Sequence, residues 1–420
     1  MMEPRKILFI CDQSDIPIIE SSFANEPGYN ITLETSEKIF NIGVKEYLRE
    51  TIHLINSNPD MFDAVIGTHD SSAVFAAVIC EQTGKIFASI NGIINCQNKY
   101  VSRTIQSRCV PECTPDFCLD RDFLQGNSNF APVFVKPARS NVSFSSQQIN
   151  SPDTLLELIA LNTEKIIDYN GYFVDALAIS TAEQPPQNLE TLNRFLCEEV
   201  IKGDQVTVDG YVFNDDVKIF GVTKAHFFED GISFKHHEFP YDLNPTMQSK
   251  IHSMVINLIP ALGLNNTFFN VELRIDEVLG EINIIEVNSR IAFQFAKTIK
   301  AVRGFDPLLW LCEVATGRKP TVDKDIKLAF KYCYNFELRK FKDKKIIKTP
   351  IKANLEEIKI SYPEIEIRNI VKENTYLSDY KQNPASYRYC ILDIPGNNRE
   401  EIMNKFEQIK PMLGYQFEDI

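Results

Sequence analysis

The clearest pattern of hydrophobic and polar residues lies between positions 268 and 290, where two β-rich runs flank a short turn. The runs and the turn are Phe268–Ile275, Glu281–Arg290 and Asp276–Gly280. This pattern predicts a β-hairpin. Because successive side chains point to opposite faces of a strand, Glu272 occupies one face of the first strand. By the same rule, Glu286, Asn288 and Arg290 share one face of the second strand.

Residues 1–98 alternate strand-like and helix-like segments, which predicts a small parallel sheet with crossover helices. The predicted elements are strands at Lys6–Cys11, Asp63–Gly67 and Lys85–Ser89 and a helix at Ser71–Glu81. No G-x-G-x-x-G follows the first strand, so the dinucleotide-binding fingerprint is absent. Thr68, His69 and Asp70 lie just past a strand, where open α/β sheets bind ligands. Capping of the next helix is the alternative role for Asp70.

The rest of the chain predicts a mixture of strands and helices. The elements are a helix from Asn98 that ends before Pro111, a strand at Ala131–Ala138, a helix at Pro152–Leu161, a strand and turn at Arg194–Gln205, an antiparallel meander at Val206–Phe213, Lys218–Lys224 and Gly231–Phe239, helices at Pro245–Leu262 and Pro307–Thr316, and a last helix at Asn398–Leu413. At 420 residues the chain is longer than a single hydrophobic core normally accommodates. We predict four parts, residues 1–98, 99–196, 197–320 and 321–420.

Composition and net charge limit the class of protein, its partners and its compartment. Hydrophobic residues at 44% and charged residues at 24% are typical of a soluble globular protein. The net charge of −13 is not offset by any long basic stretch, which argues against nucleic acid as the main partner. No apolar run is long enough for a bilayer or a signal peptide, so we expect a cytoplasmic protein. Cys109, Cys113 and Cys118 cluster, but reduced thiols fit that compartment better than a zinc site.

The predicted hairpin carries candidate metal chemistry. The carboxylates of Glu272 and Glu286 and the amide oxygen of Asn288 would form a hard-oxygen site suited to Mg²⁺ that bridges phosphates. Arg290 can neutralise a phosphate or a developing oxyanion. A half-solvated hairpin with a charged outer face is the alternative interpretation.

A second candidate lies in the strand at Ala131–Ala138. Lys136 interrupts this apolar strand and requires an anionic partner, because burial of an unpaired ammonium is costly. The serine-rich segment Arg139–Ser146 that follows is suited to closing over phosphates through hydroxyl and N–H groups. A plain surface loop is the alternative for this segment.

In their order along the chain, these segments resemble the ATP-grasp family, in particular its carboxylate–amine ligase branch. The segments that carry the resemblance are Asn98–Arg103, which is similar to the family's first helix, Phe134–Pro137, similar to its strand with the nucleotide lysine, Leu196–Gly203, similar to its adenine hinge, and Asn270–Glu272 and Glu286–Arg290, similar to its metal strands. The order of these segments over nearly the whole chain carries the resemblance.

The resemblance implies a fold of the α/β and α+β classes. Two α+β lobes would clamp ATP, preceded by a Rossmann-like pre-ATP-grasp domain and followed by a C-terminal α+β subdomain. It implies ATP and Mg²⁺ or Mn²⁺ as cofactors. The implied ATP contacts are Lys99 and Lys136 at the phosphates, Ser143 in the covering loop, Glu198, Glu199, Val200 and Ile201 at the adenine, and Gln205 at the ribose. The implied metal ligands are Glu272, Glu286 and Asn288, and the implied catalytic residues are Arg290 and Lys136.

The resemblance also implies an ATP-dependent ligase that joins a small carboxylate to an amine through an acyl phosphate. Amino acids or related metabolites are the expected substrates, and a homodimer is one expected state because dimers are common among similar enzymes. Lys224 or His226, in the meander and expected to face the cleft, is a candidate for a further phosphate contact or for accepting the amine's proton. Strand residues that face solvent are the alternative interpretation for both. The alternatives are a nucleotide-binding sensor or scaffold without catalysis, and a phosphotransferase that stops at the phosphorylated acid.

The chain departs from the family's usual pattern in three respects. The segment Arg139–Ser146 has no glycine, a feature that favours the sensor alternative. Gln205 stands where glutamate is usual, and it retains a hydrogen bond to ribose without the charge. Phe293 and Gln294 stand near the usual glycines after the metal strand, and their bulk should reshape the acceptor pocket.

Overall fold

The computed structural model describes residues 3–127, 132–140, 145–183, 186–321, 327–380, 382 and 385–419. The chain begins with an α/β unit. Its elements are β1 (Arg5–Cys11), α1 (Ile16–Phe23), β2 (Tyr29–Thr35), α2 (Ser36–Ile42), α3 (Val44–Ser57), β3 (Ala64–Gly67), α4 (Asp70–Thr83) and α5 (Ile90–Gln97). Strands β2 and β3 pair in parallel with β1, one on each side of it. The strand order therefore reverses direction at β1. The carboxyl ends of β1 and β3 therefore border a topological switch point.

Two details of this unit differ from the sequence-based expectation. The predicted strand at Lys85–Ser89 is wrong, because that segment has no regular secondary structure. Helix α4 ends at Gly84, whose φ of +67° is accessible to glycine at little cost, and the chain then leads into α5. Strand β2 was not predicted, because it is only partly buried and lacks the apolar run of β1.

The second unit contains a four-stranded antiparallel sheet in the order β4–β7–β5–β6. Its elements are α6 (Lys99–Cys109), β4 (Phe117–Leu119), α7 (Asp120–Leu124), β5 (Val133–Pro137), β6 (Gln147–Ile149), α8 (Pro152–Leu177), α9 (Pro186–Glu190) and β7 (Phe195–Glu199). Helix α8 extends well beyond the predicted end at Leu161, since its buried positions continue through Ile166 and Phe173. The face of the sheet that carries Val135 and Cys197 packs on α8.

A long antiparallel sheet organises the rest of the molecule, in the order β12–β11–β8–β9–β10–β13–β16–β15. Its strands and neighbouring elements are β8 (Asp204–Phe213), β9 (Asp216–Phe227), β10 (Phe234–Phe239), α10 (Pro245–Ala261), β11 (Thr267–Asp276), β12 (Glu281–Asn288), α11 (Ala296–Arg303), α12 (Pro307–Ala315), β13 (Tyr332–Lys340), β14 (Lys344–Lys348), α13 (Lys352–Ser361), β15 (Glu366–Asn369), β16 (Tyr387–Gly396), α14 (Arg399–Met412) and β17 (Gln416–Asp419). The predicted meander and hairpin are present. Because β13 pairs with β10, the sheet crosses the predicted boundary after residue 320, and the division into four parts stays a prediction.

The two faces of this sheet differ in chemistry. On one face, Val208 and Leu273 belong to a core that includes Leu258 of α10. Alternation places Thr207, Asp209, Asn270 and Glu272 on the opposite face. The sheet therefore presents a polar row that α10 does not cover.

Candidate active site

The site centres on the β11–β12 hairpin, where Glu272 lies directly opposite Glu286 and Asn270 lies opposite Asn288. The pairing register shifts by one residue after Glu272, so Ile285 has no partner on β11. Such a β-bulge re-aims the side chains and the carbonyl groups around it. The carbonyl oxygen of Ile285 accepts hydrogen bonds from Arg103 Nη2 at 2.9 Å and Lys136 Nζ at 3.3 Å. The bulge thereby ties the hairpin to two cations of the second unit.

The carboxylates of Glu272 and Glu286 form a like-charged pair. Burial, and then the neighbouring Glu286, raise the pKa of Glu272 to about 8. Among the described residues, the hydrogen-bond donors to the two oxygens of Glu272 are the neutral amides of Asn288, through Nδ2, and Gln205, through Nε2, each at 3.3 Å. Lys99 Nζ lies 3.6 Å from Glu286 Oε2. The pair is therefore a place where additional positive charge would be strongly stabilised.

A chain of buried hydrogen bonds sets the orientation of the Asn288 amide. Asn270 donates from Nδ2 to Asp209 Oδ1 at 2.9 Å, so its own oxygen faces Asn288. Asn288 Nδ2 then donates to Asn270 Oδ1 at 3.2 Å. Asp209 and Asn270 are each 3% exposed. With its nitrogen engaged in this way, Asn288 turns its oxygen towards Arg290, whose Nη2 lies 3.5 Å away.

Arg290 links the hairpin to the α/β unit. Its Nε lies 3.1 Å from Asp70 Oδ1 at the start of α4. His69 is the residue before α4, and its ring stacks on Phe293 with centroids 6.4 Å apart and also contacts Asp15. Asp70 is thus the first residue of α4 and the partner of Arg290, and the N-cap position that was its alternative role belongs to His69. The switch point of the first sheet therefore borders the residues that follow β12.

The second unit contributes a buried ion-pair cluster. Lys136 Nζ lies 2.7 Å from Glu198 Oε2, and the other oxygen of Glu198 pairs with Arg103. Burial alone would raise the pKa of Glu198, but the two cations hold it below its ordinary value. Burial lowers the pKa of Lys136 in spite of the nearby carboxylate. Lys136 thus has the anionic partner that its buried strand position requires.

The remaining predicted nucleotide residues follow this cluster along the chain. Glu199 ends β7, Val200 and Ile201 form the connection, and Gln205 lies in β8 beside Glu272. Ser143 lies outside the described residues. Because the carboxylate of Glu198 is engaged by two cations, the predicted adenine contact would need its backbone or a rearrangement. The nucleotide assignments stay predictions.

Lys224 and His226 do not face the metal residues. Lys224 pairs across the sheet with Val206, which lies on the face that α10 covers, whereas Thr207 pairs with Glu272. Lys224 Nζ contacts Asp204 Oδ2 at 2.6 Å, and His226 contacts Glu238. The expectation that they face the cleft is therefore wrong, because the strand register turns them to the other side.

A divalent cation fits the donor set of the hairpin. Within the described ranges, no three His, Cys, Asp or Glu side chains form a metal-binding group. Mg²⁺ commonly uses one or two carboxylates together with water and substrate phosphates, so a complete protein cage is not required. Glu272 and Glu286 supply two carboxylates, and the oriented amide of Asn288 supplies an oxygen.

Sequence reasoning missed three roles at this site. Arg103 and Asn270 belong to the segments that carry the resemblance, yet no role followed from it for either residue. The predicted site does not include Asp209, although a carboxylate between Val208 and Gly210 in an apolar strand is a signal of a buried polar network. The contacts of these residues join segments far apart in sequence, so the sequence alone does not reveal their partners.

Comparison with protein families gives a match for part of the chain. Residues 129–298 match the family model of the ATP-grasp domain. No curated protein matches the chain.

In the part of the chain that the structure describes, no helix has the length and apolar character to cross a membrane.

Solved structures share the fold at low sequence identity. An L-amino acid ligase from Bacillus licheniformis superposes with a TM-score of 0.77 at 15% identity, over 100% of both chains. The MgADP and bicarbonate complex of the biotin carboxylase domain of Hydrogenobacter thermophilus 2-oxoglutarate carboxylase gives 0.68 at 13% identity, over 100% of this chain and 91% of that one. A phosphoribosylglycinamide synthetase from Anaerococcus prevotii gives 0.65 at 14% identity, over 99% of each chain. At these identities the similarity concerns the fold.

Proposed function

We propose that this chain, which carries an ATP-grasp domain in residues 129–298, is an ATP-dependent carboxylate–amine ligase. The predicted fold class is confirmed by the domain match together with the full-length structural similarity. The observation that carries the functional proposal is the cluster of Glu272, Glu286 and Asn288 next to Lys99 and Arg290. The similarity to an L-amino acid ligase supports amino acids or related metabolites as substrates.

The proposed reaction has two steps. A substrate carboxylate attacks the γ-phosphorus of ATP, and ADP leaves as an acyl phosphate forms. An amine then attacks the acyl carbon, an amide forms, and inorganic phosphate leaves as the amine gives up a proton. Neither step needs a side-chain nucleophile, so catalysis depends on alignment and charge stabilisation.

The residues of the cluster divide this work. Lys99 and Lys136 bind the phosphates, while Arg290 stabilises the charge of the phosphoryl group in transfer. Asp70 holds the guanidinium of Arg290 in place through its 3.1 Å contact. Mg²⁺, held by Glu272, Glu286 and Asn288, would supply charge neutralisation for the nucleotide.

The direct test is a screen for ADP release with pairs of amino acids and small dipeptides, followed by mass spectrometry of the products. ADP together with an amide product supports the ligase. ATP binding without ADP from any acceptor would support the sensor or scaffold instead. ADP with a stable phosphorylated acid and no amide would support the phosphotransferase.

A further inference from the structure

Two cysteines face each other on the strands behind the proposed nucleotide residues. Cys118 of β4 and Cys197 of β7 are directly opposed in the antiparallel register. Opposed residues of an antiparallel pair have Cα atoms roughly 4.5–5.5 Å apart, which falls within the span that a disulfide bridges. Among the strand pairs of the described residues, no other two cysteines occupy opposed positions.

The two thiols differ in environment. Cys197 is fully buried in the core beneath α8, whereas Cys118 on the edge strand is only partly buried. A hydrogen bond from Cys197 lowers the pKa of the Cys118 thiol and raises that of Cys197. Since the thiolate is the reactive form of cysteine, Cys118 is the member of the pair suited to attack an oxidant. Cys197 is then in position to resolve the product.

We propose that Cys118 and Cys197 form a reversible oxidation site that closes to a disulfide on reaction with a hydroperoxide. The sulfur of Cys118 attacks the peroxide oxygen, the O–O bond breaks, and water or an alcohol leaves as a sulfenic acid forms. The sulfur of Cys197 then attacks the sulfur of Cys118, and the S–O bond breaks. The departing hydroxide takes the thiol proton of Cys197 and leaves as water. The two thiols lose two electrons, and the peroxide gains them.

The pair lies directly behind the side chains of the Glu198 cluster. Cys197 directly precedes Glu198 in β7, and the side chain of Glu198, on the opposite face of that strand, pairs with Lys136 of β5. Side chains on an antiparallel pair sit further apart than an unstrained disulfide prefers, so the bond would be readily reduced. The site is therefore expected to be reversible by dithiols.

The test is peptide mapping of the full chain after treatment with excess hydrogen peroxide, alkylation of the remaining thiols and digestion without reductant. We expect a cross-linked peptide pair that contains Cys118 and Cys197 and that disappears on treatment with dithiothreitol. The Cys118→Ser variant should lose the cross-link completely. The Cys197→Ala variant should accumulate the sulfenic acid of Cys118, detectable with dimedone.

A matched control is Cys109→Ser, which removes a partly buried cysteine that has no opposed partner. This variant should form the cross-link to the same extent as the unmodified chain. Cross-linking of Cys118 to another cysteine, or its over-oxidation to a sulfinic acid with Cys197 still reduced, would overturn the proposal. The Cys118→Ser result stands even if Cys197→Ala fails to fold, because Cys118 lies on a short edge strand.

Discussion

Two groups of charged side chains border the proposed nucleotide cleft, and they differ in the charge of the side chains that lie closest to each carboxylate. In the second unit, Glu198 lies between the cations of Lys136 and Arg103. In the hairpin, Glu272 lies opposite another carboxylate, that of Glu286. Burial disfavours ionisation at both sites, and the neighbours decide the outcome. The pKa of Glu198 is lowered, whereas that of Glu272 is raised to about 8.

The difference indicates that the Glu198 cluster positions residues of the cleft, whereas the Glu272–Glu286 pair is suited to binding a cation. Both oxygens of Glu198 pair with protein cations, so this cluster holds Lys136 beside the bulged carbonyl of Ile285. The Glu272–Glu286 pair is only partly balanced, because Lys99 lies 3.6 Å from Glu286 while the pKa of Glu272 still remains raised, so a further cation would be stabilised there. A protein in which both groups were balanced would have little affinity for a divalent ion. The variants below change one group at a time.

The largest effect is expected for Glu286→Ala. Loss of one of the two carboxylates should reduce ADP formation by roughly a thousandfold, because a bound cation contributes several kcal/mol of charge stabilisation. The fold should remain intact, since the change removes one member of a repelling pair. Steady-state ADP release is the measurement, with Glu281→Ala, an exposed position of the same strand, as control. Undiminished ADP formation by Glu286→Ala would rule out the metal assignment.

Lys136→Met tests the balanced group and should act on stability as well as on activity. It leaves the 4% exposed carboxylate of Glu198 with Arg103 alone, and breaking a buried pair costs about 3 kcal/mol of unfolding free energy. Denaturant unfolding measures this loss. The control Lys202→Met, at an exposed position, should change stability by no more than about 0.5 kcal/mol. Equal stability of the two variants would show that the Glu198 cluster does not need its second cation.

The sequence predicts the hairpin and the shared face of Glu286, Asn288 and Arg290, because both follow from alternation within one strand. It does not predict the bulge at Ile285, since an extra residue leaves no mark in a run of β-branched residues. The predicted orientation of His226 is wrong for a related reason. The face of the sheet that a strand residue occupies depends on the strand's register with its neighbours. Alternation within one strand defines two faces without saying which of them the helix covers.

The sequence also does not predict contacts between residues that lie far apart in the chain. The contact of Arg103 with the Ile285 carbonyl joins segments 182 positions apart, and that of Arg290 with Asp70 joins segments 220 apart. The family resemblance places Arg103 in a motif but supplies no partner for it. Such contacts follow from how the units pack, which local patterns do not encode.

Asp209→Asn examines the buried network behind the unbalanced group. Burial raises the pKa of Asp209 to about 7 from an ordinary value of 3.8, so the folded state favours the protonated acid. In the unmodified chain this contribution to stability is present below about pH 4 and is lost as the pH rises towards 7. The variant keeps an acceptor for Asn270 and carries no charge. It should therefore be more stable than the unmodified chain at pH 8 by on the order of 2 kcal/mol, and the gain should shrink towards pH 5.

Denaturant unfolding between pH 5 and pH 8 measures the effect of Asp209→Asn. Asp60→Asn, at an exposed position, serves as the control and should show no such pH dependence. A gain that is independent of pH would contradict the protonation of Asp209, because a neutral replacement would then act through packing alone.

The smallest effect is expected for Asn270→Ala, which removes the amide that orients Asn288. Loss of its oxygen frees Asn288 Nδ2 from the 3.2 Å hydrogen bond, so the amide of Asn288 can rotate away from the orientation that presents its oxygen to a cation. Residues that hydrogen-bond to metal ligands commonly contribute about tenfold to metal affinity. Mn²⁺ titration in the presence of ADP, followed by electron paramagnetic resonance, should show a loss of that size. Thr223→Val, which alters a buried hydroxyl on the same face without touching the amide chain, should bind Mn²⁺ like the unmodified chain. If Asn270→Ala retained full Mn²⁺ affinity while Glu286→Ala lost it, the carboxylates alone would hold the ion, and the amide network would serve stability only.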